Sequence, residues 1–299
     1  MTAIEKTSIK VAHSPDSDDA FMFYALAEKK IDLEGLDYYF GSSEIENLNK
    51  LVLSSTEKAP YDVFAVTFHT YAYIHDRYQI IRSGASMGSL KHGPKLIVNS
   101  HGLELFNKNK SLSDLYIAIP GAMTSANLCL NIYAKEKGET ISPLYCSFNE
   151  VFKLLDEGVV SAGLLIHESQ LQFQEKGFHS VLELGEWWHK FSGGLNLPLG
   201  TNVITRKLSA DLRVKVAKQL SESINFGLKN FEETLTYARN FSQNGLNDDD
   251  AKRYIDMYVN QSTVSLSDDD IKSIKLFYDT AKKYELIKVA SEISLDLIP

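Results

Sequence analysis

The sequence has 299 residues, of which 44% are hydrophobic and 23% charged, and its formal net charge is −8. This length exceeds the size at which one hydrophobic core usually stops growing, so we expect two lobes. The negative charge argues against general binding to nucleic acid or to an anionic membrane, and it favours a small-molecule partner.

The lengths of the apolar runs and the number of cysteines indicate the cellular compartment of the protein. Residues 1–13 contain no apolar run long enough for a signal peptide, and no later segment approaches the roughly 20 apolar residues that cross a bilayer. Cys129 and Cys146 are too few for a disulfide framework and too far apart for a zinc or redox motif. We therefore predict a cytoplasmic protein with reduced thiols, no membrane partner and no obligate protein partner.

The first part of the chain has the pattern of repeated strand and helix units. Hydrophobic spacing predicts strands over 9–12, 63–66, 79–82 and 95–98, and helices over 18–28 and from Thr67 to before His75. The polar stretch that follows, 99–113, has the composition of a boundary between lobes. A second lobe is expected to begin there.

The same pattern continues and then gives way to helices. We predict strands over 115–119, 160–166, 180–184 and 201–204, helices over 124–135 and from Phe148, and an almost wholly helical region over 210–284. The chain would thus cross twice between two α/β lobes. We expect a clamshell with a larger lobe (1–98 and 201–299, the C-terminal helices packing on it), a smaller lobe (99–200) and a substrate cleft between them.

A histidine directly follows the most apolar predicted strand. Leu164, Leu165 and Ile166 end this strand, and His167 opens a polar segment. Ligands in open α/β sheets bind outside the carboxyl ends of the strands, so the position predicts His167 as a catalytic base. The alternative is that His167 only caps the next helix.

A second candidate is the helix start over 121–125. Gly121, Thr124 and Ser125 place small and hydroxyl residues where backbone N–H groups and the helix dipole favour an anion such as a substrate carboxylate. The alternative is that Thr124 and Ser125 merely cap the helix. Thr67 opens a similar helix start.

Possible metal ligands are few. Asp16, Asp18 and Asp19 could offer oxygen ligands to a divalent cation, but neither the glycine nor the closing glutamate of a calcium loop follows in register. The histidines form no His-x-x-x-His pair on one helix face. We predict no metal site and interpret Ser14, Ser17 and Asp18 as turn and cap residues.

Aromatic and amide side chains late in the chain allow two interpretations. Trp187 and Trp188 could wall an aromatic ligand or pack the hinge between the lobes. Tyr258 and Asn260 could present polar groups at the cleft, although an ordinary surface position is equally compatible with the sequence.

Several of these segments occur together, in order, in one known family. They are Ser14-Pro15-x-x-x-Asp19-x-Phe21, Pro120-Gly121-x-x-Thr124, Gly163-Leu164-x-Ile166-His167-Glu168-Ser169, Leu184-Gly185-x-Trp187-Trp188 and Pro198-Leu199-Gly200. On these motifs the chain resembles the 1,4-dihydroxy-6-naphthoate synthase family of menaquinone biosynthesis, and the resemblance covers nearly the whole chain. It departs from the family pattern at residues 16–18, where Asp-Ser-Asp replaces the common Cys-Pro-Asn, which indicates a divergent branch.

The resemblance implies a type II periplasmic-binding-protein-like fold without export. It also implies a lyase that converts cyclic dehypoxanthinyl futalosine to 1,4-dihydroxy-6-naphthoate in the futalosine pathway, with a carboxylated substrate and no cofactor. His167 would be the catalytic base. Thr124 and Ser125 would match the family's helix-start hydroxyls near the ligand. From the residue patterns and the resemblance together, the predicted substrate-binding residues are Thr124, Ser125, Thr67, Ser14, Asp19, Gly121, Trp188 and Asn260.

Two other functions remain open at this point. Chorismate dehydratase of the same pathway resembles this fold and also acts on a carboxylated, ring-bearing substrate. A solute-binding protein that clamps an anion without chemistry would share the fold as well, because a fold does not fix a function.

Overall fold

The computed structural model describes residues 7–55, 60–241 and 248–299. The prediction that residues 1–13 hold no signal peptide therefore falls in part on residues 1–6, outside the described ranges. The chain divides into two compact units, a first unit of Met1–Ser86, Gly200–Ser267 and Glu292–Pro299 and a second unit of Met87–Leu199 and Asp268–Ser291.

The first stretch of the chain alternates strands and helices, as predicted. Its elements are β1 (Thr7–His13), α1 (Ser17–Ala27), β2 (Leu36–Ser42), α2 (Ile45–Ser54), β3 (Val63–Thr67), α3 (Phe68–Tyr71), β4 (Tyr78–Ile81) and β5 (Ser86–Gly88). Every residue of β3 is buried, which is typical of a strand covered on both faces. Asp18 and Asp19 lie in the first turn of α1, where the helix dipole favours negative charge.

The middle of the chain forms most of the second unit. Its elements are β6 (Lys95–Val98), α4 (Ser100–Asn109), β7 (Tyr116–Ile119), α5 (Ser125–Glu136), β8 (Ser142–Tyr145), α6 (Val151–Asp156), β9 (Ala162–Leu165), β10 (His179–Glu183) and α7 (Leu184–Phe191). Short 3-10 helices over Phe148–Glu150 and Glu168–Leu171 precede α6 and follow β9.

The remaining chain is mainly helical. Its elements are β11 (Leu197–Thr205), α8 (Ala210–Lys229), α9 (Phe231–Ala238), α10 (Asp248–Tyr258), α11 (Gln261–Val264), α12 (Asp268–Lys283) and β12 (Leu297–Ile298). Phe21 and Leu26 of α1 share a buried core with Leu220 and Ile224 of α8, so this helix closes the first unit. Within the described ranges, no helix is both long and apolar enough to cross a membrane.

The sheet of the first unit has the strand order β12-β4-β11-β3-β1-β2, and β5 pairs with β11. β1 runs parallel to β2 and to β3, with His13 opposite Ser42 and Val11 opposite Val63. β11 runs antiparallel to both β3 and β4. The carboxyl ends of β1, β2 and β3 therefore meet at one edge of this sheet.

The sheet of the second unit has the order β10-β6-β9-β7-β8. β7 is parallel to β8 and β9, while β6 is antiparallel to β9 and β10. The carboxyl ends of β8, β7 and β9 consequently meet at one edge. This arrangement decides where the candidate site residues of this unit lie.

Two boundaries that we predicted are wrong. The strand Lys95–Val98, assigned from sequence to the first lobe, pairs with β9 and β10 and belongs to the second unit. The last long helix, α12, was expected on the first lobe but also belongs to the second unit, because Phe277 packs against Trp188 at a ring-centroid distance of 5.4 Å. Helices α8 to α11 belong to the first unit.

The interpretation of 99–113 as a boundary also needs correction. Most of this polar stretch forms α4, inside the second unit. Asn99 caps the helix, because its side chain accepts a hydrogen bond from the Gly102 N–H at 2.9 Å. The polar surface residues of α4 give this stretch the composition of a linker, although it is a helix.

Candidate functional site

His167 lies directly beyond the carboxyl end of β9, as the sequence predicted. The strand residues before it are buried, and the side chain of His167 is itself only 4% exposed. Its backbone is extended and its C=O accepts a hydrogen bond from the Gln170 N–H at 2.9 Å, so His167 also opens the 3-10 helix that follows. The position of His167 is therefore compatible with both interpretations, a catalytic base and a helix start.

The imidazole of His167 packs against an aromatic ring. The ring centroids of Phe148 and His167 are 4.2 Å apart, with an interplanar angle of 52°. Glu168, Ser169 and Gln170, the residues after His167, are buried as well. The imidazole is therefore largely desolvated, and the polar residues that follow it in the chain are buried too.

The helix start at Thr124 is a network of hydrogen bonds inside the protein. The Thr124 Oγ1 accepts from the Asn127 N–H at 3.1 Å and donates to the Gly121 C=O at 3.2 Å. The Ser125 hydroxyl donates to the Leu199 C=O at 2.7 Å, and the Asn127 amide donates to the Ala122 C=O at 2.8 Å. Capping, the alternative kept open from the sequence, is thus a role that Thr124 does fill.

Gly121 gives this loop its shape. Its φ is +104°, a conformation that residues with a Cβ rarely adopt. Together with the Thr124 cap, this turn presents the backbone of 121–125 at the start of a 12-residue helix, where the dipole favours an anion.

Strand register brings this loop and His167 to the same edge of the second sheet. β7 and β9 are adjacent and parallel, with Ile117 opposite Ala162 and Ala118 opposite Gly163. The chain leaves β7 into the loop at Gly121 and leaves β9 into His167, so both segments emerge from the carboxyl edge of neighbouring strands. This edge is where ligands of open α/β sheets bind.

Ser14 is the centre of a polar cluster at the carboxyl edge of the first sheet. The Ser14 N–H donates to Asp19 Oδ2 at 2.7 Å, and its hydroxyl donates to Asp16 Oδ2 at 2.9 Å. The C=O of Ser14 lies 2.7 Å from Nδ1 of His13, which must carry the proton because a carbonyl only accepts. Each polar group of Ser14 thus meets a titratable side chain.

Burial raises the pKa of Asp19 above its ordinary value. Desolvation is the main cause, and the negative charge of Asp16 acts in the same direction. His13 and the Ser14 N–H oppose the shift. Among the described residues, no three histidine, cysteine, aspartate or glutamate side chains gather in a group that could hold a metal ion, and these aspartates bond to Ser14.

Thr67 lies at the carboxyl end of β3, at the same edge as Ser14. Its Oγ1 accepts from the Thr70 N–H at 3.1 Å and so caps the short helix α3. Its own N–H donates to Asn49 Oδ1 at 3.1 Å, a bond to a fully buried side chain of α2. Strand register therefore places Thr67 at the same sheet edge as Ser14, which binds Asp19, and all three residues belong to the first unit.

Asn260 is a helix cap of the first unit. Its Oδ1 accepts from the Ser262 N–H at 3.0 Å, and its own N–H donates to the Thr263 hydroxyl at 3.1 Å. The ring of its neighbour Tyr258 is buried against Tyr254, with centroids 5.1 Å apart. Asn260 therefore holds the start of α11, and Tyr258 packs within α10.

Trp188 lies inside the second unit. The side chain is fully buried, and its Nε1–H donates to the Ser273 hydroxyl at 3.0 Å. The ring also meets Phe277 of α12 edge-on. Trp188 thus packs within the second unit, whereas the packing interpretation had placed the pair at the hinge between the lobes.

The cysteines are free thiols, as predicted. Cys129 is buried in α5, and burial raises the pKa of its thiol well above the usual value. Cys146 is half-buried beyond the end of β8. Neither forms a disulfide in the described chain.

Sequence reasoning passed over two residues that the structure places beside the candidates. His13 was considered only as a zinc ligand, although it ends β1 just as His167 follows β9, so the same strand-end signal was present. Phe148 was interpreted only as a helix start. Its contact with His167 joins segments that no local pattern connects.

Solved structures place the fold in a known class. The alkanesulfonate-binding protein SsuA of Xanthomonas axonopodis pv. citri, bound to MOPS, matches with a TM-score of 0.69 at 13% identity, covering 99% of each chain. A protein of Archaeoglobus fulgidus matches with a TM-score of 0.84 at 36% identity, covering 94% of this chain and 98% of that one. The fold is that of the type II periplasmic binding proteins, with a mixed α/β sheet in each unit.

Within that class, the chain belongs to the menaquinone biosynthesis family, whose model matches residues 9–283. A 1,4-dihydroxy-6-naphthoate synthase of Thermus thermophilus is 28% identical over 279 residues, covering 92% of this chain and 94% of the relative. A protein of the same name from Streptomyces coelicolor is 26% identical over 271 residues, covering 90% of each chain.

Proposed function

We propose that this chain is a carbon-carbon lyase that converts cyclic dehypoxanthinyl futalosine to 1,4-dihydroxy-6-naphthoate. The observation that carries the proposal is the family match over nearly the whole chain, together with a buried histidine at the carboxyl edge of the second sheet. Both relatives are named 1,4-dihydroxy-6-naphthoate synthases, which supports the product of the proposed reaction. A cytoplasmic location is part of the proposal, and cell fractionation with an antibody to the chain tests it.

His167 is the general base in this proposal. A neutral imidazole removes a proton from the substrate and starts ring opening and carbon-carbon cleavage, which aromatisation to the naphthoate drives forward. Base catalysis of this kind typically contributes about 10² to 10⁴ in rate. The burial of His167 supports the role, because a desolvated base meets its substrate without competing water.

The loop over 121–125 binds the substrate carboxylate. Thr124 and Ser125 use their hydroxyls to shape this loop, so their contribution is to hold its backbone and the start of α5 toward the anion. Correct placement of the carboxylate fixes the reacting carbon relative to the imidazole, and such orientation can matter as much as the base. Substrate binding by Ser14, Asp19, Thr67 and Asn260 stays a prediction from the sequence.

A second function has one observation in its favour. The fold matches that of an alkanesulfonate-binding protein, so an anion could be bound without chemistry. This alternative predicts affinity for a carboxylate without turnover.

One experiment separates these functions. The purified, metal-free protein is incubated with cyclic dehypoxanthinyl futalosine, and 1,4-dihydroxy-6-naphthoate is followed by liquid chromatography with mass detection. Product formation is the expected result. Intact substrate with folded protein contradicts the proposal, and a parallel incubation with chorismate and a calorimetric titration then distinguish the dehydratase from the binding protein.

A further inference from the structure

Phe148 touches the candidate base but belongs to a different part of the sheet. It follows β8, whereas His167 follows β9, and β7 lies between these two strands. The two rings nevertheless approach to 4.2 Å between centroids, and Phe148 is 7% exposed. The contact is thus formed by two loops that meet beyond the same sheet edge.

The loop that carries Phe148 is fixed at its first residues. The Cys146 N–H donates to the Ile119 C=O at 3.1 Å, which ties the loop to the end of β7. Ser147 and Glu150 then form a capping box around the 3-10 helix Phe148–Glu150, with the Ser147 N–H donating to Glu150 Oε2 at 2.8 Å. This bond lowers the pKa of Glu150, so the carboxylate is ionised and accepting at neutral pH.

The same loop is fixed at its far side by close packing on β9. α6 continues directly from the 3-10 helix and packs on the strand at Gly163. A Cβ at Gly163 would lie 2.5 Å from Val151 Cγ1, so only glycine allows this approach. Because His167 lies just beyond β9, this packing sets the position of Phe148 relative to the strand that leads into His167.

We propose that Phe148 is a positioning residue that holds the His167 imidazole in its working orientation. The inference rests on the proposed role of His167 as the base. A flat ring at this distance leaves the imidazole little freedom to rotate about its side-chain bonds and covers part of its surface from water. Without that ring, the base loses its fixed orientation while the substrate-binding loop at 121–125 is unchanged.

The test uses Phe148→Leu, which keeps an apolar side chain and removes the ring. Its matched control is Phe152→Leu, the same change in α6 at a ring that stacks on Phe178, with centroids 5.6 Å apart. We expect Phe148→Leu to lower kcat by about 10- to 100-fold with little change in KM, since small misplacements of a catalytic group cost rates of this order. Phe152→Leu is expected to keep the kcat of the unmodified protein. Equal kcat values for the two variants would overturn the proposal.

A spectroscopic measurement separates this proposal from the proposed function. The imidazole C–H resonances of His167, assigned by their absence in His167→Asn, are compared in the unmodified protein, Phe148→Leu and Phe152→Leu. We expect nuclear Overhauser contacts from the Phe148 ring in the unmodified protein and a ring-current shift lost only in Phe148→Leu. Absence of those contacts overturns the proposal even if Phe148→Leu does not fold. Their presence in a protein that does not turn over the futalosine compound would refute the function and leave the positioning intact.

Discussion

Ala118 and Gly163 lie opposite each other on the parallel strands β7 and β9 of the second unit. This pairing sets the register that brings the 121–125 loop and His167 to one edge of the sheet. Gly163 also lies beneath α6, with space too small for a side chain. Gly163 therefore takes part both in the strand pairing and in the helix packing behind the candidate site.

We expect Gly163→Ala to destabilise the protein. Its Cβ would meet Val151 Cγ1 at 2.5 Å and Leu155 Cδ1 at 3.0 Å, so these side chains or α6 itself must shift. Overpacking of this kind lowers the free energy of unfolding by about 1 to 3 kcal/mol. Urea denaturation measures it, with Gly200→Ala as the control because a Cβ there meets its nearest atom at an ordinary 3.6 Å. A Gly163→Ala variant as stable as the control would show that α6 does not pack this closely.

Thr124→Val is expected to weaken both the fold and the binding of carboxylated ligands. The change removes the hydroxyl that caps α5 and holds Gly121, and loss of a threonine cap typically lowers stability by about 1 kcal/mol. Thr124→Ser keeps the hydroxyl and serves as the control. Calorimetric titration with 1,4-dihydroxy-6-naphthoate measures the affinity, and an affinity unaltered in Thr124→Val would count against the carboxylate site.

Asp19→Asn is expected to stabilise the protein at neutral pH. Because burial raises the pKa of Asp19, the folded state retains a proton at pH values where the unfolded chain has lost it. The free energy of unfolding therefore falls as the pH rises from the ordinary value of 3.8 through the raised pKa. Asparagine carries no charge and can still accept from the Ser14 N–H.

The stability gain of Asp19→Asn should disappear at pH values low enough to protonate Asp19 in both states. Thermal unfolding across this range measures it, and the exposed Asp279→Asn provides a matched control that should show little gain. A gain that persists unchanged in acid would mean that the charge of Asp19 is not its origin.

Trp188→Phe is expected to affect stability rather than substrate affinity. The change leaves a gap and removes the indole donor from Ser273, and we estimate a loss of about 2 to 4 kcal/mol in the free energy of unfolding. Trp187→Phe is the control, because Trp187 is only partly buried and should lose less. A raised KM with unchanged stability in Trp188→Phe would restore the ligand-wall interpretation.

Local sequence patterns predicted much of the fold and part of the candidate site. Uninterrupted apolar runs identified β3 and β7 to within a residue or so, and the strand-end rule selected His167. Membership of β6 in the second sheet depends on pairing with β9, more than 60 residues away. The spacing of apolar residues within one segment cannot predict a pairing between distant strands.

The placement of α12 and of Phe148 escaped prediction for a similar reason. α12 has an amphipathic pattern that suits either unit, and only the contacts of Trp188 with Ser273 and Phe277 decide between them. Phe148 reaches His167 through the packing of α6 on Gly163. The sequence shows that Gly163 lies within an apolar strand, but it does not show that α6 packs on this glycine.

The role of His167 as the base of a carbon-carbon lyase can be measured in His167→Asn. Substrate affinity and single-turnover rate are determined beside the unmodified protein, with circular dichroism to show that both are folded. We expect similar affinity for cyclic dehypoxanthinyl futalosine and a rate of naphthoate formation lower by about 10² or more. An unchanged rate in the folded variant would show that His167 is not the base.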